Sequence, residues 1–440
     1  MFCNGTGAKW LGYTVTSHLT TRKRMTLWNE TKSVPISRQM IWSAYKKVKS
    51  HQGGAGIDQI SMEAYEKNRS KYLYQLWNRM ASGSYFPPPV KEVEIPKGDG
   101  KMRKLGIPTI NDRIGQMVIK EYLEPRFEKI FSEHSYGYRP KKNAHMALFK
   151  ARANCRKTDW VIDLDIKGFF DNISHSKLKQ ALVKHVSEPW CQMYIDRWLT
   201  APVQKHNGVQ IGKQGKGTPQ GGVISPLLAN LYLHYAMDKW LEQKHPQVQY
   251  VRYADDAILH VRSQQQAKQV MQDLQARMNA CELELHPDKT KLVYCRDYRR
   301  QEEYPTVKFD FLGYSFQPRS TMSKQNGRLF LGYDCAISIK SKKRIADKME
   351  ELDIVKLTFK SIVGVAQYLE PYIRGWVNYY GRFRISELNS VFQLLRQRLV
   401  KWVRQRYKRY KTNLNKAYEW LERVRKQYPT LFYHWRLGFS

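Results

Sequence analysis

Cysteine is scarce and scattered in this 440-residue chain. Cys3, Cys155, Cys191, Cys281, Cys295 and Cys335 form no C-x-x-C pair and have no histidine at zinc-finger spacing. That pattern points away from a disulfide framework or a structural zinc site, and towards buried or incidental thiols in a reducing compartment. Long apolar runs are also missing. Polar residues interrupt each of them well short of the roughly 20 residues that a membrane span needs, and no signal-peptide core opens the chain. The expectation is a soluble, intracellular protein. Acidic residues are the third shortage: 39 Asp+Glu face 75 Lys+Arg, a formal charge of +36. Such an excess repels itself in a compact fold unless a polyanion neutralises it, so nucleic acid or an anionic membrane surface is implied. The 28 Tyr and 12 Trp favour nucleic acid, because aromatic faces among cations can stack bases.

The 42% of apolar residues is enough for real cores, and the length allows two or three domains. Residues 1–35 show no convincing periodicity and read as an N-terminal extension without fixed structure, with Met25 as an alternative start. A helical pattern runs from Ile36 through Met40, Ile41, Ala44, Tyr45 and Val48, and stops at Gly53-Gly54. Val90–Pro96 alternates like a strand and Arg103–Ile107 returns, a hairpin whose tip carries Lys97, Lys101, Arg103 and Lys104. A helix should begin near Asp112. Trp160–Ile166 reads as a buried strand, Tyr250–Val261 as two strands joined at an Asp pair, and Gly215–Gly222 as a loop opening a helix through Tyr235. Residues 263–283 look helical, and Val307–Tyr314 looks like strand and turn. From Ser341 onward 22 Lys+Arg stand against 8 Asp+Glu among dense aromatics in a helical pattern, which suggests a separate basic domain.

Aspartate is depleted in strands and costly to bury when ionised. A chain that puts Asp165 at the end of a buried strand and Asp255-Asp256 in an apolar hairpin needs compensating charge, and a divalent cation with oxygen ligands supplies it. Two such ions about 4 Å apart can activate a nucleophile and stabilise a leaving oxygen in phosphoryl transfer. An Asp pair in a turn is common, however, and decides nothing alone.

The motif order decides. Asp165–Asp171 (DIKGFFD), Gly217–Gly222 (GTPQGG), Tyr253–Asp256 (YADD), His286–Thr290 (HPDKT) and Phe311–Tyr314 (FLGY) resemble the successive motifs of reverse transcriptases. Gly53–Asp58 (GGAGID), Ile95–Pro108 (IPKGDGKMRKLGIP), Ser135–Pro140 (SYGYRP), Thr218–Pro226 (TPQGGVISP) and Arg374–Tyr380 (RGWVNYY) narrow the resemblance to group II intron-encoded proteins, over about residues 36–410. The resemblance implies an α+β fold of the right-hand polymerase type. Fingers with part of the palm would occupy 36–150, the catalytic palm 151–330, and an all-α thumb or maturase domain 341–440. Many members also carry an H-N-H endonuclease with cysteine pairs. No such pairs occur through Ser440, so polymerisation without DNA cutting is expected.

Roles follow from the same resemblance. Asp165 and Asp255 would be shared ligands of two Mg²⁺ ions (or Mn²⁺), with Asp256 a third carboxylate and the Ile166 carbonyl a backbone ligand. Asp163, on the same strand face, is taken as structural. Lys97 and Arg103 would hold the dNTP triphosphate, Gln220 would line the nucleotide pocket, and Phe170 would be the steric gate against a 2′-hydroxyl. Lys289 is a candidate general acid for pyrophosphate departure. Phe311, Leu312, Gly313 and Tyr314 would form the primer grip. Arg374, Trp376, Tyr379, Tyr380, Arg404 and Arg406 would bind RNA in the thumb, through phosphate contacts and stacking. Expected partners are structured intron RNA, an RNA template with its DNA primer, and a DNA target; the expected setting is the bacterial cytoplasm or an organelle. A reverse transcriptase turned to repair, defence or diversity generation is the alternative role, as is a maturase acting mainly as a splicing cofactor.

Overall fold

The computed structural model describes residues 33–96, 102–323 and 327–439. The expectations for residues 1–32, including Met25, and for the hairpin tip with Lys97 and Lys101 lie outside them. Among the described residues the strands are, in chain order, β1 (Val90–Pro96), β2 (Met102–Ile107), β3 (Trp160–Leu164), β4 (Val203–Gln204), β5 (Gln210–Ile211), β6 (Gln249–Tyr253), β7 (Asp256–Val261), β8 (Lys291–Tyr294), β9 (Phe309–Phe311), β10 (Tyr314–Met322) and β11 (Leu329–Ile337). No described helix is long and apolar enough to cross a membrane.

The chain folds into two compact units that interleave along the sequence. The first takes the chain up to Ser132, Lys167–Trp240 and Arg277–Glu284. Its sheet has the order β2-β1-β4-β5, with β1 and β2 antiparallel in the register Val93↔Leu105, and β1 and β4 parallel. The alternation of Val90–Pro96 thus yields the anticipated hairpin. Helix Arg38–His51 starts where Ser37 accepts a hydrogen bond from the Met40 N–H, and buries Ile41, Ala44, Tyr45 and Val48, the residues its periodicity singles out. Helix Ile110–Glu128 starts at a Thr109 cap and buries Asp112 completely. That carboxylate is tolerated because Trp198 Nε1 (2.6 Å), Tyr85 Oη (3.1 Å) and Gln116 Nε2 (3.3 Å) all donate to it. Burial still outweighs those bonds and lifts it to about 6. The helix after the glycine-rich loop runs from Ser225 to Leu233 and then winds into a π-helical turn, His234–Asp238, so Tyr235 lies beyond its α-helical part.

The second unit takes Glu133–Ile166, Leu241–Ala276 and the chain from Leu285. Its central sheet, β6-β7-β3-β8, is antiparallel throughout. Val161, Ile162 and Leu164 of β3 and Ala257 to Val261 of β7 are all buried, as apolar runs in central strands should be. A second sheet, β9-β10-β11, is dominated by a nine-residue-per-strand hairpin that the sequence reading passed over, although Asn326-Gly327 between its strands is a turn signal. Asp334 of β11 anchors it, taking Nε and Nη2 of Arg152 (2.5 and 3.0 Å) and Nε of Arg384 (3.3 Å).

The C-terminal region is helical: Ile339–Glu351, Ile362–Tyr380, Asn389–Arg406 and Leu414–Gln427. Its basic residues face out while Leu395, Leu399, Val403, Leu421 and Phe432 form the core. Trp402, Tyr410 and Trp435 are buried in that core, and Trp402 Nε1 donates to the Leu357 carbonyl (2.9 Å), so these aromatics hold the bundle together and are not open to bases. The five described cysteines are all free and buried.

Candidate active site

Strand β3 ends at Leu164, two residues earlier than its apolar run suggests, and Asp165 follows it half-buried. The backbone around it is fixed from one side: the Asp165 carbonyl accepts the His286 N–H (2.8 Å), and Ile166 bridges Leu285. The neighbouring strands β6 and β7 turn back at Ala254-Asp255, with Ala254 at φ +58°. Asp255 is half-buried in the turn, and Asp256, opposite Tyr253, opens β7 and is exposed.

The turn is braced from behind by Ser135–Pro140, a segment the sequence marked by resemblance but gave no role. Tyr136 N–H donates to the Arg252 carbonyl (2.8 Å), and Arg252 N–H to the His134 carbonyl (2.9 Å). Fully buried Arg252 donates from Nη1 to the Ala254 carbonyl (3.0 Å). Gly137 lies so close that a Cβ there would stand 2.4 Å from the Ala254 nitrogen.

Asp163, Asp165, Asp256 and Asp310 line one cavity of about 400 Å³ with Lys289, Lys291, Lys308 and Lys340. Lys289 Nζ sits 2.9 Å from Asp165 Oδ2, so the motif lysine and the motif carboxylate do meet. Burial, reinforced by Asp256 and more weakly by Asp165 and Asp310, pushes Asp163 up to about 7 against the pull of Lys291. Asp310, which accepts from the Ser315 hydroxyl, is a carboxylate the sequence reading passed over. It directly precedes the FLGY motif, and a polar residue between two buried phenylalanines was the available signal. Among the described residues, no three His, Cys, Asp or Glu side chains are grouped closely enough to hold a metal ion unaided.

The proposed primer grip is a tight turn. Leu312 (φ +50°) and Gly313 (φ +79°) connect β9 to β10, the positive-φ pair that a two-residue hairpin turn demands. Phe311 and Tyr314 are buried beneath it. Tyr314 Oη donates to the Tyr379 carbonyl, and Tyr379 Oη to the Leu312 carbonyl (2.9 Å), so two residues expected in the RNA-binding thumb pack on this turn. Tyr380 is 5.9 Å from Tyr314 between ring centres. The other thumb candidates spread out. Arg374 pairs with Glu370 (2.6 Å) and lies over the Tyr433 ring, and Trp376 is half-buried against the bundle core. Arg404 spends two donors on the Lys411 carbonyl, whereas Arg406 is exposed.

The nucleotide-pocket candidates belong to the first unit. Phe170 sits on the helical turn Phe169–Asn172, which Gly168 starts at φ +53°. The GTPQGG loop is stitched to that turn: Thr218 N–H donates to the Phe170 carbonyl and Gly217 N–H to that of Ile173 (both 2.8 Å). The Gln220 carbonyl accepts the Gly106 N–H (2.6 Å), and its side chain hydrogen-bonds Asp171. The loop therefore links the Phe170 turn to β2, the strand that carries exposed Arg103. Lys213, missed in the sequence, is half-buried nearby; desolvation draws its amine down to about 8, opposed by Asp171.

Comparison with known proteins gives the family. Residues 95–316 match the family described as reverse transcriptase (RNA-dependent DNA polymerase), and residues 342–420 match the group II intron, maturase-specific domain. Protein YkfC of Escherichia coli (strain K12) is 30% identical over 55% of this chain and 73% of that protein. Group II intron-encoded protein LtrA of Lactococcus lactis subsp. cremoris is 34% identical over 46% of this chain. The putative COX1/OXI3 intron 1 protein of Saccharomyces cerevisiae is 27% identical over 61%. The match spans only 33% of LtrA and 38% of the yeast protein.

Proposed function

This chain belongs to the reverse transcriptase family and carries a group II intron maturase domain, and from that premise we propose that it copies RNA into DNA and assists the splicing of a structured intron RNA. The observation that carries the first part is the placing of Asp165 and Asp256 on one cavity beside the turn that holds Asp255, with Lys289 on Asp165.

The donor set suits Mg²⁺, a hard ion that takes one or two carboxylates and completes its shell with water and substrate phosphates. Burial first, and Asp256 after it, push Asp163 up, so a cation held at this cavity would ease the cost of keeping its carboxylates ionised. Asp165, Asp255 and Asp256 would hold the ions, which supply charge for the attacking and leaving oxygens of the transfer. Lys289 keeps a proton at Nζ, within reach of the cavity, for the departing pyrophosphate. Arg103 offers a planar fork to the triphosphate, Phe170 excludes a 2′-hydroxyl, and Gln220 orients the nucleotide from a loop fastened at both ends. Lys97, outside the described residues, would join Arg103 at the triphosphate, as the motif resemblance implies. The basic helical region would hold the RNA, its surface cations meeting phosphates.

Primer extension on an RNA template tests the polymerase. Asp255→Asn is expected to slow it at least about 100-fold, a loss of about 2.7 kcal/mol of transition-state stabilisation, while RNA binding and splicing assistance persist. Undiminished extension would sink the polymerase assignment. Loss of splicing in the same variant would sink the separation of the two activities.

A further inference from the structure

The segment that braces the Ala254-Asp255 turn holds side chains in a backbone conformation they ordinarily avoid. Tyr138 has φ +56°, and Lys141, just past the segment, has φ +61°. A bulky residue there is an outlier, and such strain persists only where the surroundings enforce it. Here they do. Ser135 bridges Arg252, and Arg139 Nη1 donates to the Ser135 carbonyl (2.9 Å). Lys142 Nζ donates to the Glu133 carbonyl (2.8 Å) and lies over the Tyr136 ring. Tyr138 is carried between these ties.

The strain wins no place in the core. Tyr136 is buried, whereas Tyr138 is 55% exposed. Its ring lies beside that of Tyr253, with 6.5 Å between centres and 42° between planes. Tyr253 stands opposite Asp256, and opposite residues of an antiparallel pair put their side chains on one face. A shelf of two aromatic rings therefore begins beside Asp256, which lines the carboxylate cavity with Asp165, and Tyr138 is its outer end.

We infer that this shelf seats the sugar of the primer's 3′-terminal nucleotide, and that Tyr138 selects a deoxyribose there. The inference rests on the polymerase reading above, in which a strand whose 3′-hydroxyl reaches the carboxylates brings its last sugar to Asp256. At a paired end the two faces of the base are taken by stacking neighbours. The sugar edge, which displays any 2′ substituent, is what lies open to a lateral shelf. An apolar ring packs on the 2′-methylene of deoxyribose, but strips water from a 2′-hydroxyl and obstructs a larger group. Glycine or asparagine would take this backbone position at less cost, so the strain is accounted for by a ring being needed at this place.

Single-turnover extension on an RNA template tests the shelf. The full chain is given two DNA primers, one ending in a deoxynucleotide and one in a 2′-O-methyl nucleotide. The native chain should extend the deoxy end at least about tenfold faster, the scale of one lost aromatic contact to a nucleotide. Tyr138→Gly and Tyr138→Asn, which suit the backbone, should slow the deoxy primer about tenfold and bring the two primers within about threefold of each other. Tyr138→Phe, which keeps the ring, should extend both primers as the native chain does. Duplex affinity at fixed salt is set mainly by phosphate contacts and should be the same in every variant. Neither Gly nor Asn should lower the urea midpoint below that of Tyr138→Ala. A tyrosine that served only the fold would, when replaced, slow both primers in proportion and leave their ratio untouched. That unchanged ratio, or native extension by Tyr138→Gly, overturns the shelf and leaves the polymerase reading standing. A native chain that extends neither primer overturns the polymerase reading, and the shelf with it.

Discussion

Gly137→Ala is the sharpest perturbation the structure offers, because it touches no charged group and still reaches the catalytic turn. The Cβ it adds would stand 2.4 Å from the Ala254 nitrogen, 3.0 Å from the Tyr253 carbonyl carbon and 3.3 Å from the Ala254 Cα. These are backbone atoms, so no side chain can swing aside. Ordinary contact begins at 3.4 Å, and the two segments must therefore part by about 1 Å. Behind Gly137 the hydrogen bonds from Tyr136 to Arg252 and from Arg252 to His134 resist withdrawal, which leaves the Ala254-Asp255 turn as the part that moves. A misplacement of about 1 Å in a reacting constellation costs on the order of 100-fold in rate. Overpacking at one residue costs about 1–3 kcal/mol of stability, too little to unfold a well-packed domain. The expected result is a folded protein with native duplex affinity and single-turnover extension slowed about 100-fold. Circular dichroism and urea unfolding establish the fold, and rapid-quench extension gives the rate. Native extension by a folded Gly137→Ala protein would refute the claim that Ser135–Pro140 sets the position of Asp255.

Two further perturbations concern stability. Asp334→Ala strips Arg152 and Arg384 of their shared carboxylate; both guanidiniums keep about a quarter of their exposure, 28% and 23%, so the loss should lie at the low end for a broken buried pair, about 3 kcal/mol. A urea midpoint unchanged in Asp334→Ala would contradict it. Acid should also destabilise the second unit through two buried histidines. Desolvation holds His434 and, with Lys150 adding to it, His260 down to about 3, whereas in the unfolded chain each titrates near 6.5. Below about pH 6.5 the unfolded state binds protons that the folded state refuses, so stability falls as pH drops towards 3. Between pH 7 and pH 5 each histidine accounts for about 2 kcal/mol. His434→Phe, which preserves the stack on Phe392, should remove one such share; an unaltered pH dependence of its unfolding would refute the assignment.

The strands that carry chemistry were readable because their signals are local. Trp160–Ile166 is nearly all apolar, and the Asp pair sits where two apolar runs turn. The β1–β2 hairpin and helix Arg38–His51 have clear periods and caps, and their buried faces are those the pattern selects. What escaped is what depends on distant parts of the chain. Nothing near Gly137 reports that Ala254 will press against it 117 positions later. Asp310 looks like a strand aspartate until β9 brings it to the cavity of Asp165. Thumb tryptophans and tyrosines read alike whether they stack bases or fill a core, since exposure is settled by helix packing; Trp402 and Trp435 went inside. Arg404 shows the same limit for charge, since a basic residue on a basic helix is indistinguishable in sequence from one that caps a carbonyl.

The balance of charge at the cavity connects the composition to the chemistry. A chain of formal charge +36 keeps four aspartates at one place and surrounds them with four lysines, so the lined cavity is formally neutral by itself. Neutrality here is poised. Carboxylates that stayed uncompensated would repel one another and take up protons; Asp163, raised by burial first and by Asp256 after it, is the one nearest to doing so. Lysines that stayed uncompensated would capture phosphate without an ordered geometry. A divalent cation added to this set would leave it net positive and free Lys289 from Asp165, so that the cavity attracts a triphosphate only once the ion is in place. On this reasoning Lys289→Gln should tighten Mn²⁺ binding to the chain without nucleotide, read by the free-Mn²⁺ electron paramagnetic resonance signal. Equal affinity in the two proteins would show that the Lys289–Asp165 pair, a partly exposed contact of 2.9 Å, is too weak to compete with the ion.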